Sequence, residues 1–131
     1  MIRVKLTSVF VDDQAKALEF YTKVLGLEKK SDFPAGEFRW LTVVSPEDRD
    51  GVELVLEPND NPVARTYQQA LFEAGMPAAV FEVDDIHKQY ERITALGGRF
   101  SSEPTPMGPL TVALLDDTCG NLVQLAQGTA A

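Results

Sequence analysis

The sequence is short of the residues that most site chemistry draws on. Its 131 residues include one cysteine, one histidine and one tryptophan. A single cysteine excludes an intrachain disulfide and any C-x-x-C pair, and it fits a reducing compartment. With one histidine there is no H-E-x-x-H metal motif. A Ser-His-Asp triad would need another histidine beside a nucleophile, and G-x-S-x-G and phosphate-cradling glycine loops are missing too. No apolar run approaches the roughly 18 residues of a membrane span. The opening MIRVKLTSVF lacks an apolar core followed by a small-residue cleavage site, so no secretory signal is expected. Positive charge is scarce: 12 Lys and Arg stand against 20 Asp and Glu, a net charge of −8. That balance argues against nucleic acid or an anionic membrane as a partner. The expectation is a cytoplasmic protein.

What is present is an ordinary globular composition, 44% hydrophobic and 24% charged. One domain of this length buries roughly two-thirds of its unfolded surface. The chain is organised around Val9–Leu27 (VFVDDQAKALEFYTKVLGL). A strand leads into Asp12-Asp13 as a helix cap, and Leu18, Tyr21 and Leu25 share a helical face. Gly26 stops the helix. Phe81–Gly98 (FEVDDIHKQYERITALGG) repeats the plan, with Ile86, Tyr90, Ile93 and Gly97 on one face. Val11-Asp12-Asp13 maps onto Val83-Asp84-Asp85 at an offset of 72, and Leu25-Gly26 onto Leu96-Gly97 at 71. Leu41-Thr42-Val43 maps onto Leu110-Thr111-Val112 at 69, and Val52-Glu53-Leu54 onto Val123-Gln124-Leu125 at 71. Four ordered matches at nearly constant offset mark two copies of a β-α-β-β-β unit.

The first module is expected over residues 2–57, with strands at 2–11, 28–33, 38–45 and 52–57. A linker at 58–77 holds a short helix over 64–74, with Asn61 as cap and Pro62 at its start. The second module runs over 78–126. Its strands are expected at 78–83, near 99–101, at 110–115 and at 122–126. The proline-rich stretch EPTPMGP (103–109) reads as a turn and residues 127–131 as a frayed tail. Alternation sends Leu41, Val43, Leu54 and Leu56 under a helix. Phe38, Trp40, Thr42, Val44, Glu53 and Val55 fall on the opposite, free face. By the repeat, Leu110, Val112 and Leu114 go to the helix side, Thr111 and Ala113 opposite, and Gln124 joins the face of Glu53. The fold class is α+β: two tandem modules forming a curled, cup-like mixed sheet with helices outside.

The pattern V-x-V-D-D…A-L-E-F-Y-x-x-V-L-G, repeated in this way, resembles the vicinal oxygen chelate superfamily over about residues 2–126. That superfamily holds glyoxalase I, bleomycin-resistance proteins, extradiol dioxygenases and fosfomycin-resistance enzymes. The resemblance implies a homodimer and a small-molecule cup. In the metal enzymes of the family four strands each give one ligand, typically His, Glu or Gln. Those places fall here on Leu6, Glu53, Ala78 and Gln124. Leu6 and Ala78 have no lone pair to offer, and one carboxylate plus one amide falls short of the three protein ligands a catalytic zinc usually keeps. No metal site and no cofactor are therefore expected, with a divalent ion as the alternative.

Glu53, on the free face between Val52 and Leu54, is the candidate base or ligand anchor, with Arg39 or Gln124 as neighbours that would otherwise satisfy it. Phe38, Trp40, Tyr67 and Met107 are candidates for an aromatic and soft lining. His87, in the first turn of the second helix, is expected in solvent. Cys119, beside Asp116 and Asp117, is expected as a packed turn thiol, since adjacent carboxylates discourage a thiolate. The leading expectation is a metal-independent binder of a small, partly aromatic molecule, resembling the bleomycin-resistance branch. A metal-dependent lyase, isomerase or dioxygenase is the alternative. A third reading is a metal-free enzyme with Glu53 as base, or an unrelated role on the same scaffold. Whether the protein is an enzyme stays open at the level of sequence.

Overall fold

The computed structural model describes residues 1–128. The chain divides into two compact units, with the boundary between Thr66 and Tyr67. In the first, β1 (Leu6–Val11) leads into α1 (Gln14–Glu19), followed by β2 (Glu28–Ala35), β3 (Phe38–Val44) and β4 (Glu53–Pro58). The sheet order is β1-β4-β3-β2, with β1 parallel to β4 and the other pairs antiparallel. Asp13 caps α1 by accepting the Lys16 N–H at 3.0 Å.

α1 packs on β3 and β4, and its buried residues are Gln14 and Ala17. Gln14 is buried because its amide is saturated by backbone: Nε2 donates to Arg39 O (2.7 Å) and Leu56 O (2.9 Å), and Oε1 accepts the Arg39 N–H (3.0 Å). After Glu19 the helix widens into a π-helical segment, Phe20–Val24, with Leu25 N–H donating to Phe20 O. The wider turn brings consecutive Phe20 and Tyr21 inward, 6% and 0% exposed, with their rings edge-on at 5.4 Å. This replaces the expected Leu18–Tyr21–Leu25 face, because a 3.6-residue period no longer applies past Glu19. Leu18 and Leu25 are half-buried.

α2 (Pro62–Glu73) starts at Pro62, with Asn61 Oδ1 accepting the Ala64 N–H at 2.8 Å. The second unit then holds β5 (Ala79–Glu82), α3 (Ile86–Ala95), β6 (Arg99–Met107), β7 (Leu110–Asp116) and β8 (Leu122–Gly128). Its sheet order, β5-β8-β7-β6, repeats the first. Asp85 caps α3 through the Lys88 N–H, and α3 packs against β6, β7 and β8 with Ile86 and Ile93 buried.

The α+β class with two β-α-β-β-β modules stands, its strands divided between two four-stranded sheets. Several expectations change. β1 starts at Leu6, not at residue 2. EPTPMGP is mostly strand: β6 runs to Met107 through Pro104 and Pro106. β6 is an edge strand whose register with β7 shifts between Ser102 and Thr105, the setting in which a sheet tolerates proline. Gln127 and Gly128 of the expected frayed tail belong to β8, and Gln127 Oε1 accepts the Ile86 N–H at 2.7 Å, while 129–131 lie outside the described residues.

The face assignment of β7 is also reversed. The hairpin glycines Gly36 and Gly108 are 72 residues apart, as are the caps Asp13 and Asp85. That offset sets Thr42 against Leu114, so the Leu41–Leu110 match was three residues out of register and changed the face. Ala113 and Leu115, with Val123 and Leu125 of β8, are the fully buried set, and Leu114 and Gln124 are half-exposed opposite them.

Candidate functional site

Leu54, Val55 and Leu56 of β4 are all buried; by strand parity Leu54 and Leu56 share one face, and Glu53, Val55 and Glu57 the other. The ladder sets Leu6 beside Glu53, Ser8 beside Val55 and Phe10 beside Glu57. Across β3, Val44 is opposite Glu53 and Thr42 opposite Val55. Farther along, Trp40 is opposite Phe33 and Phe38 opposite Ala35.

One end of this face is polar and closed. Thr42 is fully buried; its hydroxyl accepts the Ser31 N–H at 3.1 Å and donates to Glu53 Oε1 at 2.8 Å. Ser31 follows the register shift after Lys29, and its N–H is met by the Thr42 hydroxyl. Glu53 Oε2 lies 3.9 Å from Lys5 Nζ, with its side chain 12% exposed. The partners of Glu53 within its unit are thus Thr42 and Lys5, where Arg39 or Gln124 was expected.

The other end is aromatic and open. A depression of about 280 Å³ is lined by Phe10, Phe38, Arg39, Trp40, Val55 and Glu57, with Asn61 at its edge. Phe33 stacks on Trp40 with ring centroids 6.4 Å apart and planes 28° from parallel, which fixes the indole as one wall. Arg39 sends its guanidinium to Asp32, with Nε and Nη2 donating to the two carboxylate oxygens at 3.0 and 2.7 Å. That paired bond holds the Asp32 carboxyl down at about 2, and Arg39 is raised in turn.

Of the residues expected to form a site, Phe38 and Trp40 come together in the depression, and Glu53 shares their face two rungs away. Phe10, Phe33 and Glu57 were missed. The period-two pattern that placed Glu53 and Val55 on this face also places Glu57 there, so a signal for it existed. Gln124, Tyr67 and Met107 belong to the second unit. Gln124 is half-exposed on β8, and Tyr67 and Met107 are exposed. Val80, not Ala78, is in register with Gln124; Ala78 precedes β5 and donates its N–H to Leu122 O. Val80 has no lone pair either, so the donor set in these ladders remains one carboxylate and one amide. Among the described residues no three His, Cys, Asp or Glu side chains converge on a point. His87 is exposed and Cys119 is fully buried.

The family model of the Glyoxalase/Bleomycin resistance protein/Dioxygenase superfamily matches residues 3–125. The chain belongs to that superfamily. It is 54% identical over 126 residues to the uncharacterized protein YurT of Bacillus subtilis, covering 96% of this chain and 99% of that one. It is 31% identical over 130 residues to the lactoylglutathione lyase of Neisseria meningitidis serogroup B, covering 96% and 91%. Among solved structures, TnmS3, an antibiotic binding protein from Streptomyces sp. CB03234, matches with a TM-score of 0.79 at 26% identity, covering 98% of both chains.

Proposed function

We propose that this superfamily member binds a small, partly aromatic molecule on the free face of its first sheet, without a metal ion. The observation that carries the reading is the depression walled by Phe10, Phe38 and Trp40. Flat apolar surfaces with few polar groups suit sequestration of an aromatic ligand by stacking and desolvation. The likeness to an antibiotic binding protein supports the same reading. Gln124, Tyr67 and Met107 remain proposed ligand contacts of the second unit, apart from this depression. A homodimer in the cytoplasm is part of the proposal: β1 and β5 are sheet edges carrying exposed Leu6 and Val80, whose burial a second copy would supply.

The second reading is a metal-dependent lyase. It rests on the likeness to lactoylglutathione lyases and on Glu53, a carboxylate placed in the ladder beside Leu6. The residues present do not fit a metal ion, because Leu6 and Val80 offer no donor atom. Elemental mass spectrometry on tag-free protein, offered Zn, Mn, Ni and Fe(II), separates the two. The proposal expects far less than one ion per chain; close to one tightly held ion would replace it with the lyase reading.

A further inference from the structure

We infer that the depression recognises an organic cation, an ammonium or guanidinium group on an apolar or aromatic body, with Glu57 as its counter-charge. The inference rests on the small-molecule reading and names the ligand class for the same site. The depression is lined by two residues of full charge, Arg39 and Glu57. The Arg39 charge is already matched by both carboxylate oxygens of Asp32. The Asn61 side-chain oxygen is taken by the α2 cap. Glu57 is half-buried, in register with Phe10, and its side chain has no hydrogen bond or ion pair among the described residues. It is therefore the uncompensated charge of the cavity, and the cavity also takes in the aromatic residues Phe10, Phe38 and Trp40.

A neutral aromatic ligand would leave this carboxylate half-desolvated and unmatched. A cation lying against Trp40 or Phe38 would gain the ring quadrupole and the carboxylate together. Glu53 does not compete for that role, since Thr42 and Lys5 already occupy its oxygens. A net charge of −8 further favours cations over anions at long range.

The test uses three soluble probes of one shape: 3-phenylpropylamine, 3-phenylpropanol and 3-phenylpropanoate. Binding is followed by NMR through the indole N–H of Trp40, the one tryptophan in the chain. The expected order is amine, alcohol, carboxylate, with the amine about tenfold tighter than the alcohol. Glu57→Gln should bring the amine down to the alcohol's affinity and leave the alcohol unchanged. Glu47→Gln, which removes the same charge from an exposed turn, should keep the amine preference. Equal binding of amine and alcohol, or a preference that survives Glu57→Gln, would overturn the cation assignment alone. If no probe moves the Trp40 signal, the small-molecule reading of this depression fails and the cation assignment with it.

Discussion

Asp32 and Arg39 show how a single pair sets the charge state beside the site. The Arg39 guanidinium holds the Asp32 carboxyl at about 2, below its ordinary 3.8. Because the folded value lies below the unfolded one, the pair favours the native state fully above pH 4. Its contribution is lost as pH falls through about 2. A carbon-detected NMR titration should place the Asp32 midpoint near 2, and Arg39→Gln should move it up toward 3.8. An unmoved midpoint would mean that another group holds the carboxyl. The ion pair was not legible in the sequence, since Asp32 and Arg39 meet only through the β2–β3 register. Glu57 is a different case. Strand parity exposed it, but its lack of a partner is a property of the folded neighbourhood and appears only in three dimensions.

Elements were legible where local chemistry decided them and obscure where pairing did. Both aspartate caps and the Asn61-Pro62 start of α2 were readable, because a cap is satisfied within three residues. The π segment, the proline-bearing β6 and the face of β7 were not, since each depends on contacts far along the chain. The turn between β7 and β8 is a buried example. Asp117 is fully buried and accepts the N–H groups of Cys119 (2.8 Å) and Asn121 (2.9 Å) and the Asn121 side-chain amide (2.7 Å). From α2, Gln68 Nε2 reaches the same turn, donating to Cys119 O at 2.9 Å and Asn121 Oδ1 at 3.1 Å. Asp117→Ala would leave several buried groups unmatched and should cost about 2–4 kcal/mol in urea unfolding. Asp85→Ala, which removes one exposed cap, should cost about 1 kcal/mol. Equal losses would show that the turn network contributes no more than a helix cap.

At the level of the whole molecule, the repeat made the α+β class and the module order readable, and the superfamily match agrees over residues 3–125. The repeat also misled where it was weakest: the three-letter match at an offset of 69 slid β7 by three residues against the structural 72, and the match at 71 slid β8 by two against the ladders, in which Val55 and Gln124 hold equivalent places. The candidate site residues divide between the two units, and of those that strand alternation placed on the free face, Phe38, Trp40 and Val55 line one depression while Glu53 lies outside it. The central claim is therefore that this depression binds small aromatic molecules without metal. Its most direct test is a titration of such molecules followed by Trp40 fluorescence, with and without a chelator. The account predicts saturable binding of at least one compound, the same in both conditions and abolished in Trp40→Ala. Binding that needs an added divalent ion, or that persists undiminished in Trp40→Ala when followed by calorimetry, would contradict it.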